Sequence, residues 1–251
     1  MYLIEPRTID IVIKQFLYKL KTNLSVFYGI AAIELFAVFA ASGGVSSSGT
    51  SSTNLSVKVN LYSADIVIVF AIIWIFIASL RFSINQEEMD FSLVSNRFCS
   101  NVSSMCFLAV ASIVSGITAS LYTVILRIAI YYGAGSGNIV SDNFFISPQY
   151  LVIGIASSIL YIILFCSAGY LYGVLIRLSK LFVLFVPACL IGELITLRIF
   201  NPSGHEFYIS KITNFYFSES SLLLFFVKAI VTSIVLFTSA LLISDRLEVR
   251  R

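Results

Sequence analysis

Five charged side chains, Glu34, Asp65, Arg127, Glu193 and Lys228, fall inside or at the edge of apolar runs. A charge in hydrocarbon is costly unless it is paired or faces water, so such residues mark polar paths, relays or ion pairs. At 1.5 Å per helical residue, Glu34 lies about 15 Å and Glu193 about 18 Å from the inner ends of their spans. Asp65 lies about 6 Å and Lys228 about 10 Å from the outer ends, and Arg127 is near the outer boundary. The pattern predicts an outward-facing polar vestibule lined by some of these five. Two arrangements use the same residues without a path: pairing within the chain, such as Glu193 with Lys228, or snorkelling of the two bases to the headgroups.

A second constellation lies between two of the most apolar runs: "NQEEMDFSLVSNRFCSN", residues 85–101. Folded as a helix over 87–99, it puts Phe91, Val94 and Phe98 on one stripe, with Met89 and Leu93 on another nearly opposite. Glu88, Asp90, Ser95, Asn96 and Arg97 fill the flanks, where they can pair with the charged surface of a soluble partner. An ordinary solvated loop is the alternative for this segment taken alone.

The elements that position these residues follow from composition. The 251 residues are 59% hydrophobic and 12% charged; soluble domains carry about 25% charge, so most of this chain belongs in lipid. A net charge of +3 is too small to point to nucleic acid. Six apolar segments reach the roughly 20 residues that a membrane helix needs, near 24–42, 61–82, 102–131, 149–176, 181–200 and 221–244. No cleavable signal peptide is evident, because the first span follows a charged amphipathic segment and ends without an A-x-A-like site.

Basic residues favour the cytoplasmic side. With the N-terminus inside, eleven (Arg7, Lys14, Lys19, Lys21, Arg81, Arg97, Arg177, Lys180, Arg246, Arg250, Arg251) fall on inner segments, against Lys58, Arg198 and Lys211 outside. Both termini are therefore expected in the cytoplasm, which makes 85–101 an inner loop. Before the first span, "RTIDIVIKQFLYKLKT" places Ile9, Val12, Ile13, Phe16 and Leu20 on one stripe, as expected of an amphipathic helix lying in the membrane surface. A topogenic positive flank without that helix is the plainer alternative. "ASGGVSSSGTSSTN" reads as a flexible outer linker, and Asn54 within it opens a glycosylation sequon. Cys99, Cys106, Cys166 and Cys189 lie in or next to apolar runs and read as small buried hydrophobes rather than a disulfide framework.

Membrane enzymes with this composition require groups that are missing. Glu87 and Glu88 are similar to the paired glutamates of CAAX proteases, but Ser92 stands where that EExxxR motif has its arginine. "GAGSGN" at 133–138 is superficially similar to the rhomboid GxSG, yet no span carries a histidine to activate Ser136. The single histidine, His205 in "NPSGHEFY", also excludes HExxH zinc chemistry, and no metal site is expected. No GxxxxGK[ST] occurs, so the chain has no P-loop for ATP. The chain is not expected to be an enzyme.

The whole plan resembles the small permease subunits of Gram-positive ABC-2-type exporters: an in-plane N-terminal helix, six spans, both ends inside, and an amphipathic inner loop between the second and third spans. "FSLVSNRF" is similar to the aromatic, small and basic sequence that members carry at the start of the third span. Many relatives have a glycine and two consecutive basic residues there, where this chain has Ser95, Asn96 and Arg97. The resemblance implies an all-α, single permease domain over 1–251, with an elbow helix at 1–23, six spans over 24–244 and a cytoplasmic tail at 245–251. It implies that the inner loop is a coupling helix, its docking carried by Glu87, Glu88, Asp90, Phe91, Val94, Arg97 and Phe98. It also implies residence in the cytoplasmic membrane, an ATPase partner subunit that binds ATP and Mg, and a second permease copy or related permease. By analogy the cargo is a hydrophobic or amphipathic peptide, toxin or antimicrobial. A non-transporting membrane scaffold, sensor or immunity protein is the alternative, and it has no need of an ATPase.

Overall fold

Inside hydrocarbon a backbone must satisfy its own hydrogen bonds, so the apolar runs have little choice but to coil into helices. The structure, a computed structural model, describes residues 8–42, 46–52, 55–61, 65–85, 97–134, 147–184, 186–188, 191, 215–216 and 221–248. Its helices are α1 (Thr8–Thr22), α2 (Leu24–Ser42), α3 (Ile66–Ile84), α4 (Arg97–Ala134), α5 (Pro148–Leu178) and α6 (Leu222–Glu248). The last five are long and apolar enough to cross a membrane, which makes this a multi-pass membrane protein. The run expected as a further span, 181–200, lies largely outside the described residues, as do 87–96 of the expected coupling helix.

Two expectations at the α2–α3 connection need correction. The Ser/Gly-rich stretch read as a flexible linker instead supplies strand β1 (Ser46–Ser52), paired antiparallel with β2 (Leu55–Leu61) from Ser46↔Leu61 to Ser52↔Leu55. The alternation Leu55, Val57, Val59, Leu61 is a strand pattern, and backbone pairing makes few demands on the serines opposite. Because β2 takes up residue 61, α3 begins only at Ile66. Asp65 therefore stands exposed at the N-cap position and not within the span.

α4 is the centre of the bundle and packs against each of the other five helices described. Its 38 residues extend about 57 Å, well beyond a hydrocarbon core of about 30 Å. α3 and α5 run parallel and pack most extensively of all the helix pairs. Gly169 and Gly173 make this approach possible: a Cβ at Gly173 would lie 2.6 Å from Ser83 Cβ, and one at Gly169 would lie 2.7 Å from the Phe76 carbonyl oxygen. The four-residue spacing of Gly169 and Gly173 thus serves packing within the chain, as does that of Ala111, Ser115 and Ala119, all fully buried in α4.

α5 and α6 also run parallel, with Tyr161 against Phe225 (ring centroids 4.5 Å apart) near one end and Tyr170 against Phe237 (5.9 Å) further along. Phe107 closes the core between Phe82, stacked at 5.0 Å, and Phe27, edge-on at 6.0 Å. Of the described cysteines, Cys99 and Cys166 are buried as expected, whereas Cys106 is exposed on the outer surface of α4.

Candidate functional site

α4 gathers polar groups at three levels along its length, the first two of them buried. At the first level its opening turns receive α1. Lys19 Nζ, 2% exposed, donates to the Ser100 carbonyl oxygen (2.9 Å), Ser100 Oγ (2.8 Å) and Ser104 Oγ (2.6 Å), and lies 6.0 Å from the Phe82 ring centroid. One turn earlier on α1, Gln15 Oε1 accepts from Ser103 Oγ at 3.4 Å. The layer continues across α4 through Asn101, whose amide donates to Ser244 Oγ of α6 (3.2 Å) and whose Oδ1 accepts from the Tyr170 hydroxyl of α5 (3.4 Å). Four elements therefore meet in one buried polar layer.

The second level is Glu34. It lies ten residues into α2, about 15 Å along the helix, and is fully buried. Its Oε1 accepts from Thr118 Oγ1 at 3.0 Å and Ser115 Oγ at 3.3 Å, both on α4. Its Oε2 has no partner among the described residues.

The third level is a cavity of about 520 Å³ at the end of the bundle that carries the hairpin, between the starts of α3 and α5 and the last third of α4. Asp65, Arg127, Ser120, Thr123, Ser147 and Tyr150 supply its polar wall, and Ile68, Val124, Leu151 and Ile155 its apolar one. Ser120 is hydrogen-bonded to Ser158 of α5 at 2.9 Å.

The structure thus brings together two of the five charges named from the sequence, Asp65 and Arg127, on one cavity. Glu34 is sealed between α2 and α4 and does not line it. Lys228 lies elsewhere, its Nζ 4.1 Å from the Phe215 ring centroid and 3.4 Å from the Phe215 carbonyl oxygen. Glu193 lies outside the described residues, as do Glu87, Glu88, Asp90, Phe91 and Val94. Arg97 and Phe98, the end of the expected coupling segment, are the first two residues of α4, and the Phe98 side chain is exposed.

Sequence reasoning gave Lys19 no role beyond setting topology, and it passed over Gln15, Ser100, Ser103 and Ser104. Two signals were available. Gln15 and Lys19 stand four apart among the apolar residues of α1, and "SNVSS" at 100–104 interrupts an otherwise apolar run. Comparison with protein-family models, with curated proteins and with solved structures finds no match.

Proposed function

We propose that this chain is the membrane-spanning permease subunit of an ATP-driven exporter, worked by a separate ATPase that docks on residues 87–98. The observation that carries this reading is the reach of α4. One uninterrupted helix starts where the docking segment ends, is gripped by α1 through Lys19 at its opening turns, holds the Glu34 carboxyl at mid-bundle, and ends on the Asp65–Arg127 cavity. A displacement applied at Arg97 has a rigid route to the opposite end, about 45 Å away. Packed helices shift between discrete arrangements and do not deform smoothly, so a push on α4 favours a new packing of the bundle.

The parallel course of α5 and α6 supports a sixth crossing between them, since the chain must return to the first end of the bundle, and the apolar run 181–200 is long enough to do it. The positive-inside distribution sets the α1 end in the cytoplasm. In this orientation the cavity faces outward, where a hydrophobic or amphipathic cargo is released. ATP and Mg belong to the partner, and a second permease copy completes the path.

The test is a mild-detergent pull-down of the full chain from its native membrane, with partners identified by mass spectrometry, beside a variant carrying Glu88→Lys and Arg97→Glu. Recovery of an ATPase subunit with the native chain, and its loss from the normally expressed variant, is the expected result. Failure to recover any ATPase under conditions that preserve other membrane complexes overturns the reading.

A further inference from the structure

We infer that the cavity framed by Asp65 and Arg127 binds a membrane phospholipid whose headgroup carries both an amine and a phosphate. The inference goes beyond export and stands without an ATPase partner.

Both charge signs stand on one cavity wall: Asp65 at the start of α3 and Arg127 on α4. Among the described residues no ion pair joins them. An arginine fork suits phosphate oxygens and a carboxylate suits an ammonium group, so the pair matches a zwitterion and discriminates against a headgroup of a single sign. The depth of the cavity suits the part of a lipid just below its headgroup. It runs from Ser147, just before α5, to Ile155, eight residues or about 12 Å further along the helix direction. Asp65, Arg127, Ser147 and Tyr150 stand towards its rim and Ser120 at its deep end, while Ile68, Leu151 and Ile155 supply apolar surface for the upper part of an acyl chain.

Gly154 is the other observation. It lines the cavity, is exposed, and a Cβ built on it meets nothing within 4 Å. The two glycines on the α3–α5 seam and Gly116, by contrast, have no room for a side chain. The space beside Gly154 is open and leaves room for a ligand against the α5 wall of the cavity.

The experiment reconstitutes the full chain in nanodiscs of equal phosphatidylethanolamine and phosphatidylglycerol, exchanges it into mild detergent, and counts retained lipids by native mass spectrometry. The native chain is expected to keep phosphatidylethanolamine in preference to phosphatidylglycerol. Arg127→Gln should lower phosphatidylethanolamine retention roughly tenfold, the loss of one charge-assisted contact. Asp65→Asn should abolish the preference between the two lipids. Gly154→Leu keeps both charges and fills the apolar part, so it should lower retention about as much as Arg127→Gln without lowering the unfolding temperature. A short-chain phosphatidylethanolamine should displace the retained lipid, and free phosphoethanolamine at the same concentration should not. Equal retention of both lipids by the native chain, unchanged retention in Gly154→Leu, or displacement by free phosphoethanolamine each overturns the assignment.

Discussion

Lys19 Nζ lies 2.6 Å from Ser104 Oγ, with the amine almost fully buried, so α1 is bonded to the central helix by a cation. Its exposed faces divide by character. Ile9, Ile13 and Leu17 form an apolar row at four-residue spacing, and Asp10, Lys14 and Lys21 are exposed on a polar side. A helix with a protein face, an apolar face and a charged face suits the boundary between bilayer and water, where each finds its own surroundings.

Lys19→Met is therefore expected to loosen α1 while leaving the spans folded. The methionine keeps much of the apolar stem and loses three donors, and hydrogen bonds to a charged group are worth about 1.5–3 kcal/mol where neutral interhelical bonds in membranes average about 0.6. Lys21→Met, on an exposed side chain, should cost little. Limited proteolysis of α1 in nanodiscs checks both. Equal cleavage of the two variants would show that the buried amine does not hold α1.

The α3–α5 seam gives the sharpest contrast in stability. Gly173→Ala puts a methyl against Ser83 Cβ and 2.9 Å from the Leu80 carbonyl oxygen, and backbone cannot yield as a flexible side chain does. Overpacking of this kind costs about 1–3 kcal/mol, so Gly169→Ala and Gly173→Ala should each lower the unfolding temperature, while Gly154→Ala should not. Fluorescence of Trp74, the only tryptophan and itself on α3, reports the transition.

The legibility of this molecule divides along the same physics. Runs such as 61–82 and 149–176 were readable as spans because lipid leaves an apolar segment little choice but a helix, though the first of them starts five residues late, at Ile66. The Gly169/Gly173 spacing fits the close helix approach that small residues allow. The hairpin was hidden by the composition of "SSSGTSS", which has no strand pattern of its own and acquires one only from Leu55–Leu61 opposite. Asp65 was placed about 6 Å inside a span and stands instead just before α3; that it lines one cavity with Arg127 depends on how α3 sits against α4, which is a tertiary fact. Lys19 was read only as a topogenic charge. A lysine beside a span is explained well enough by topology, and the Gln15/Lys19 spacing and the "SNVSS" interruption do not by themselves show that three α4 oxygens meet its amine.

Glu34 separates folding from function. Glu34→Gln keeps an oxygen for Thr118, and Glu34→Leu leaves Thr118 Oγ1 the Val114 carbonyl oxygen 3.0 Å away as acceptor. Both variants should accumulate normally and unfold within about 1 kcal/mol of the native chain, since single intramembrane hydrogen bonds contribute on this scale. If mid-bundle polarity serves export, both should impair it, Glu34→Leu more than Glu34→Gln. Unchanged export at unchanged protein level would remove Glu34 from any path.

Lys228 makes the last case, because its cation is already engaged by neighbouring protein. Its amine sits over the Phe215 ring and near the Phe215 carbonyl oxygen, Phe215 packs edge-on against Tyr216 at 5.0 Å, and the Tyr216 carbonyl oxygen accepts from the Tyr161 hydroxyl of α5 at 3.2 Å. The lysine thus helps pin residues 215–216 beside α5 and α6. A cation–π contact contributes about 0.5–2 kcal/mol, depending on how dry it is. Lys228→Gln and Phe215→Leu should each destabilise within that range, and the double variant should cost less than their sum because both remove the same contact. Additive losses in a thermal unfolding cycle would mean that the two side chains act independently, leaving the Lys228 charge available to line a path after all.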